Sequence, residues 1–400
     1  MNISINNKTR YENFSVYLIS FMCFISLEPW FIWGINISYI LAPLLILFLI
    51  INIIINKRYS VYQLMPILLL IYFVFFVYKS VYNMIWVYNI FLIFMIYFIN
   101  IRKEYYIRIY KALEKLFGVI LGIGIPFYLI NLVYELPNHE YMSRNVGLVP
   151  YYNNYLIFVV PGGLNAIASF SAFRYHSVFD EAGVVGTISL LMLAGNKFVF
   201  NNWYQKSILF AGILSFSFFF YLGFILIYLI NFKSIFNVRK FSIIAIITLI
   251  GFNYLKENDV FEKTILTRFL IEDGKFVGDT RVSVSWEIMY DNFIKNGDII
   301  FGEAATYYAG KNETIFGNDL GASYKMYVYL FGIFGVSFML YIYVSGMWRI
   351  TNKNYKDTIY MLFVLLISFY QRPWLLSIYY PVILFASAGN IKKRNNDLVL

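Results

Sequence analysis

Charge is scarce in this 400-residue chain, and so are the signatures that would mark a soluble enzyme. Charged residues make up 14% of it and hydrophobic residues 60%, more apolar surface than one water-facing core can hide. A single cysteine, Cys23, excludes a disulfide framework and a thiolate metal cluster. There is no GxGxxG, Walker sequence, HExxH, CxxC or GxSxG. An Asp-x-Asp pair, the usual holder of a metal beneath a nucleotide-sugar, is also missing. Neither a metal nor a cofactor is expected. No repeat relates the two halves, which weighs against transporters built from inverted repeats.

What is present is long apolar blocks, such as Ile40 to Ile51 and Phe241 to Phe252, without the polar stripe of an amphipathic soluble helix. Aromatic residues reach 21%, and many Tyr and Trp lie near block ends, where the membrane interface favours them. The net charge of +10 comes from short Lys and Arg clusters between blocks rather than one basic face. No nucleic-acid partner is expected, and membrane topology accounts for the clusters.

A span needs about 20 apolar residues to cross ~30 Å of hydrocarbon. The first five blocks lie near 14–34, 36–55, 61–79, 82–100 and 116–134, with a basic amphipathic stretch from Arg102 to Lys115 before the fifth. The positive-inside rule puts Lys57, Arg58, that stretch and the N-terminus in the cytoplasm. The run after Lys8 and Arg10 has no small-residue cleavage pattern and reads as a retained first span. A sixth span is expected near 183–200. The block 207–230 has basic residues on both sides, so it is expected to be a hairpin of two short helices meeting near Ser215 to Phe219. Spans near 241–255, 324–347, 358–371 and 374–389 complete the chain. The expected fold is all-α and integral to the membrane: about twelve transmembrane helices (range 10–12) in one polytopic domain, 1–400, with both termini inside.

Two large outer loops follow from this topology, 135–182 and 256–323. Of the 22 acidic residues, four fall in the first and twelve in the second. Acidic residues contribute little to orientation, so their gathering is an independent mark of water-exposed loops. The first carries Pro137, His139, Arg144, a Pro161-Gly162-Gly163 turn and the run Arg174-Tyr-His-Ser-Val-Phe-Asp-Glu-Ala-Gly183. That run sets Arg174, His176, Asp180 and Glu181 at the start of the sixth span, where a helix N-terminus favours anions. In the second loop Trp286, Met289, Tyr290 and Phe293 recur at helical spacing. They predict an amphipathic helix near 281–296, lying on the membrane surface or on the span bundle, with Arg281 at its start.

An arginine there suits a diphosphate, because its planar fork donates bidentate bonds and stays charged. The alternative is pairing with nearby carboxylates or with phospholipid phosphates. His176 is a candidate general base or a hydrogen-bonding loop residue. Arg372, between the last two spans, either faces a cavity or snorkels to the interface, and Glu28 has the same two readings.

Four features resemble the Wzy-type O-antigen polymerases, a family that includes O-antigen ligase-like proteins. They are the Arg-x-x-Ser-x-Phe-x-Glu-x-Gly run at 174–183, the broken hairpin at Ser215-Phe-Ser217, the succession Arg281…Trp286…Phe301-Gly302…Gly317-Asn-Asp-Leu-Gly-Ala-Ser-Tyr324 leading to Phe331-Gly-Ile-Phe-Gly335, and the terminal Gln371-Arg-Pro373. Some members carry an arginine followed ten residues later by glycine, a spacing neither Arg174 nor Arg281 has. The resemblance implies a GT-C-like helical bundle in a bacterial inner membrane. It implies metal-independent, inverting transfer of a growing glycan from undecaprenyl diphosphate to the next lipid-linked repeat unit, on the periplasmic face. The implied partners are those donor and acceptor lipids, membrane lipids and, as a candidate, a chain-length regulator. The implied roles are diphosphate or glycan binding by Arg174, Arg281 and Arg372, with Glu181 or His176 taking the acceptor's proton. A ligase of this kind carries a catalytic histidine in the large loop, and 256–323 has none. A lipid-linked oligosaccharide flippase would show paired halves and short loops.

Overall fold

The computed structural model describes residues 5–55, 64–72, 85–143, 151–162, 174–230, 271–272, 275–276, 284–303, 324–371 and 374–397. Within them the chain is mostly helical. The helices are α1 (Ile5–Ile25), α2 (Ile37–Ile55), α3 (Leu64–Tyr72), α4 (Ile85–Phe98), α5 (Lys103–Val133), α6 (Ala182–Gly195), α7 (Trp203–Leu214), α8 (Phe218–Ile230), α9 (Val284–Asn296), α10 (Tyr324–Ile350), α11 (Tyr355–Gln371) and α12 (Tyr379–Asp397). The helical class agrees with expectation, whereas the described residues do not show about twelve spans. Among the described residues only α5 and α10, of 31 and 27 residues, are long and apolar enough to cross a membrane. The apolar stretches Ile37–Ile53, Asn89–Phe98, Ala182–Gly195 and Phe218–Ile227 are shorter than the ~20 residues a crossing takes. The basic stretch 102–115 and the fifth span are one helix, α5, whose first turns carry the charge. The block at 241–255 lies outside the described residues.

The centre of the bundle is α6. All 14 of its residues are buried, against α7, α8, α11 and α12. At 1.5 Å per residue it is only ~21 Å long, and its C-terminal end is enclosed by neighbouring helices. The last carbonyls of a helix have no partner within it, and here each is met from elsewhere. Ser387 Oγ donates to Leu191 O at 2.9 Å, Tyr110 Oη to Met192 O at 2.7 Å, Tyr360 Oη to Ala194 O at 3.0 Å and Asn390 Nδ2 to Gly195 O at 3.1 Å. The backbone N–H groups of Asn196 and Phe198 serve Leu193 O.

The same end gathers the basic clusters. The buried Glu114 carboxylate accepts from Gln205 Nε2 at 2.6 Å, Asn196 Nδ2 at 3.1 Å and Asn202 Nδ2 at 3.5 Å. Lys197 pairs with Asp357 at 3.4 Å. Arg108 pairs with Glu12 at 3.5 Å and also donates to Asn13, and Arg349 donates to the carbonyls of Ile99 and Ile101. The clusters at 102–115, 197–206 and 349–356 thus converge on one end, with the start of α1 and the later turns of α12. The described parts of the first acidic loop, and residues 284–303 of the second, lie at the other.

At that other end the first loop forms an antiparallel sheet, β1 (Glu140–Met142), β2 (Tyr151–Asn154) and β3 (Val159–Gly162), in the order β1-β2-β3. Pro161 and Gly162, expected in a turn, belong to β3. Gly162 is where the Tyr151 ring lies, and a Cβ there would come within 2.1 Å of it.

The second loop rejoins the bundle through a helix break. Gly332 (φ 63°) interrupts α10, and residues 299–303 fill the gap. Ile333 N donates to Ile299 O at 2.9 Å, Phe334 N to Ile300 O at 3.1 Å and Glu303 N to Tyr329 O at 2.7 Å. Tyr72 Oη from α3 lies 3.0 Å from both Phe301 O and Phe331 O. Gly302 (φ 81°) and Gly332 cross so closely that a Cβ on Gly332 would stand 2.1 Å from Ile300 O. Gly332→Ala is expected to destabilise the purified protein by roughly 3 kcal/mol or more, steric overlap adding to the φ strain. Gly34→Ala is the reference: its φ is 83° with nothing within 4 Å, so the strain alone costs about 1–2 kcal/mol. Thermal unfolding in detergent checks the pair, and equal losses would refute the interlock.

Candidate active site

The segment 174–181 is fixed from several directions. Tyr175 N donates to Leu214 O at 2.9 Å, and its buried hydroxyl donates to Leu121 O in α5 at 2.7 Å. Val159 N of β3 donates to Ser177 O at 2.8 Å, Trp30 N to Val178 O at 2.9 Å, and Tyr152 Oη to Asp180 O at 3.1 Å. The sheet, the α1–α2 link and the end of α7 thus hold one short strap at the mouth of α6.

Arg174 sits where that strap meets the α7–α8 break. Its Nε donates to Ser215 O at 3.0 Å, and its charge acts on the hydroxyls of Tyr128 in α5 and Tyr221 in α8. The break itself is the expected one: α7 ends at Leu214 and α8 starts at Phe218. Phe216 holds a positive φ of 45°, Ser215 Oγ turns back to Gly212 O at 2.6 Å, and Tyr221 Oη spans the bend to Ile213 O at 2.7 Å. Gly186 of α6 makes room for this corner, since a Cβ there would meet Ser217 Cβ at 2.4 Å. A half-buried guanidinium therefore stands beside an interrupted helix pair and is held by the Ser215 carbonyl in the break.

The other expected residues divide. His176 is only 3% exposed, with Nδ1 2.9 Å from Asp180 O. Its ring is thus oriented by the strap's own backbone. Glu181 is the exposed N-cap of α6 and makes no side-chain cap bond, which places it beside the helix N-terminus. Nearby, burial and then the Glu135 carboxylate hold the Tyr155 phenol above its usual pKa, which keeps it a neutral donor. Arg281 and Arg372 lie outside the described residues. The amphipathic helix expected near 281–296 is observed as α9, 284–296, packed on the bundle: Trp286 and Phe293 meet the Tyr329 ring at 5.4 and 5.0 Å, and Lys325 pairs with Glu287 at 3.8 Å.

Sequence reasoning missed Tyr128, Tyr221 and Gly186. In apolar runs such residues look like ordinary span components, and only the broken hairpin hinted that a polar corner needed partners. Among the described residues no group of three or more His, Cys, Asp or Glu is placed to hold a metal ion.

Tyr175→Phe removes the strap's buried bond to Leu121 O and leaves that carbonyl without its phenol. A loss of about 1–3 kcal/mol in unfolding free energy is expected; unchanged stability would show that the strap is held elsewhere. Comparison with protein-family models, with curated proteins and with solved structures finds no match.

Proposed function

We propose that this chain is a multi-pass glycosyltransferase of a bacterial inner membrane that polymerises lipid-diphosphate-linked repeat units, as O-antigen polymerases do. In this reading the acidic end faces the periplasm and the basic end, with both termini, the cytoplasm. On the same reading some of the shorter apolar helices join α5 and α10 as broken crossings, completed by flanking residues. The segregation of charge between the two ends supports this orientation.

The observation that carries the reading is Arg174, held on the Ser215 carbonyl at the α7–α8 break beside the mouth of a wholly buried helix. Undecaprenyl diphosphate is already an activated leaving group, so the protein's task is to position it and to stabilise the charge that develops as it departs. The acceptor hydroxyl oxygen attacks the anomeric carbon from the face opposite the diphosphate. The C–O bond to the diphosphate breaks, the configuration inverts, and the electron pair leaves with the lipid. Arg174 offsets that charge, a role also assigned to Arg281 and Arg372. Glu181, exposed at the N-cap, takes the acceptor's proton. His176, buried and tied to Asp180 O, positions the strap that carries both Arg174 and Glu181.

The decisive measurement is electrophoresis of surface polysaccharide from the producing bacterium after deletion of this chain. The expected pattern keeps core plus one repeat and loses the ladder; complete loss of repeats would instead point to a ligase or a flippase. In complementation, Arg174→Ala and Arg281→Ala are expected to lower ladder yield at least ~100-fold at equal membrane abundance, the size of loss seen when one charge-stabilising donor is removed. A normal ladder with either variant would overturn that arginine's assignment.

A further inference from the structure

The sheet β1–β3 has two faces with different employment. Its inner face is packed: Tyr152 meets the Trp33 ring at 4.9 Å and bonds Asp180 O, while Asn154 Nδ2 donates to Glu140 Oε1 at 3.1 Å. The register pairs Tyr141 with Asn153 and Tyr151 with Gly162, so Tyr141, Tyr151 and Asn153 share the outer face. Tyr141 is 71% and Tyr151 37% exposed. Their rings meet edge to face at 5.5 Å, with Tyr151 seated over the bare backbone of Gly162. Beside them Asn153 Oδ1 is buried and has no hydrogen-bond partner among the described residues.

A buried orphan acceptor calls for an explanation, and two fixed, outward phenols beside it narrow the explanation. Ring faces carry negative potential and attract the polarised C–H bonds on a sugar face. An amide supplies directional bonds to hydroxyls, and tyrosine offers such contact area at low entropy cost. An acyl chain would use the rings but leave the amide unanswered. The sheet also adjoins the site, because its inner face and the edge of β3 hold the 174–181 strap.

We propose that this outer face is a subsite for the growing glycan, gripping sugars distal to the reacting end, an inference that rests on the function proposed above. Its role is retention: a chain held there stays for another addition instead of diffusing away.

The test uses the full chain in detergent and oligosaccharides released by mild acid from the producing cells' own surface polysaccharide. Tyr141→Ala and Tyr151→Ala are each expected to weaken binding about tenfold, the equivalent of one lost ring contact. Asn153→Leu is expected to do the same without lowering the melting temperature, because it removes an acceptor that had no partner. Tyr11→Ala, a partly exposed tyrosine at the basic end, should bind as wild type does. In cells the three sheet variants are expected to shorten the ladder's modal length while keeping its first rungs. Undetectable binding by the wild type, or unchanged binding and ladder in all three variants, would overturn the subsite and mark the rings as an interfacial belt. Weakened binding in these variants together with a normal ladder for Arg174→Ala would instead leave the subsite standing and sink the diphosphate assignment.

Discussion

The rest of the bundle depends on satisfying the backbone of α6 where water cannot reach it. A helix of 14 buried residues is stable only if its terminal groups find protein partners, because each orphan in a low-dielectric interior costs several kcal/mol. Its final carbonyls are met by donors from α5, α11 and α12. Those bonds fix the distances between α5 and the α11–α12 pair, which lie more than 200 residues apart in the chain. The opposite end of α6 is left to a different kind of partner, the strap 174–181, and this is where the candidate chemistry lies. One helix therefore has a structural end and a site end.

The same division runs through the charge. At the structural end the ionised groups are answered by protein: Glu114 by three amides, Asp357 by Lys197, Glu12 by Arg108. Such closure suits an end whose work is to hold helices together, since a half-satisfied buried network is worse than an apolar one. At the site end Glu181 is exposed and Arg174 is braced by a backbone carbonyl, an arrangement that leaves charge near the surface of the mouth.

Much of this was legible from charge and hydropathy alone. The α7–α8 break was read from basic residues flanking 207–230, because no single crossing satisfies both flanks, and the structure breaks at Ser215 to Ser217. The sheet was not legible. Its strands are three or four residues long, too short for a period to register, and Pro161-Gly162 looked like a turn when the glycine's purpose is to admit the Tyr151 ring. The boundary between the 102–115 stretch and the fifth span was drawn where polarity changes. The backbone ignores that change, since a helix continues past the hydrocarbon edge as long as its residues favour helix. The buried network around Glu114, inside what reads as a basic amphipathic stretch, was not legible, because amide donors from 196–205 are invisible in a local window. At the site, Arg174 and Glu181 stood out through their clustering, whereas Tyr128 and Tyr221 come to Arg174 only through tertiary packing.

The Tyr72 latch has a consequence for how the protein is made. The phenol sits in the third helix, yet its two carbonyl partners are 229 and 259 residues further along the chain. At about 5–20 residues per second, roughly ten seconds to nearly a minute passes between the synthesis of Tyr72 and that of Phe331. The donors that close α6 from α12 arrive later still. The first helices must therefore wait with provisional partners, and their native arrangement is completed only by segments synthesised much later.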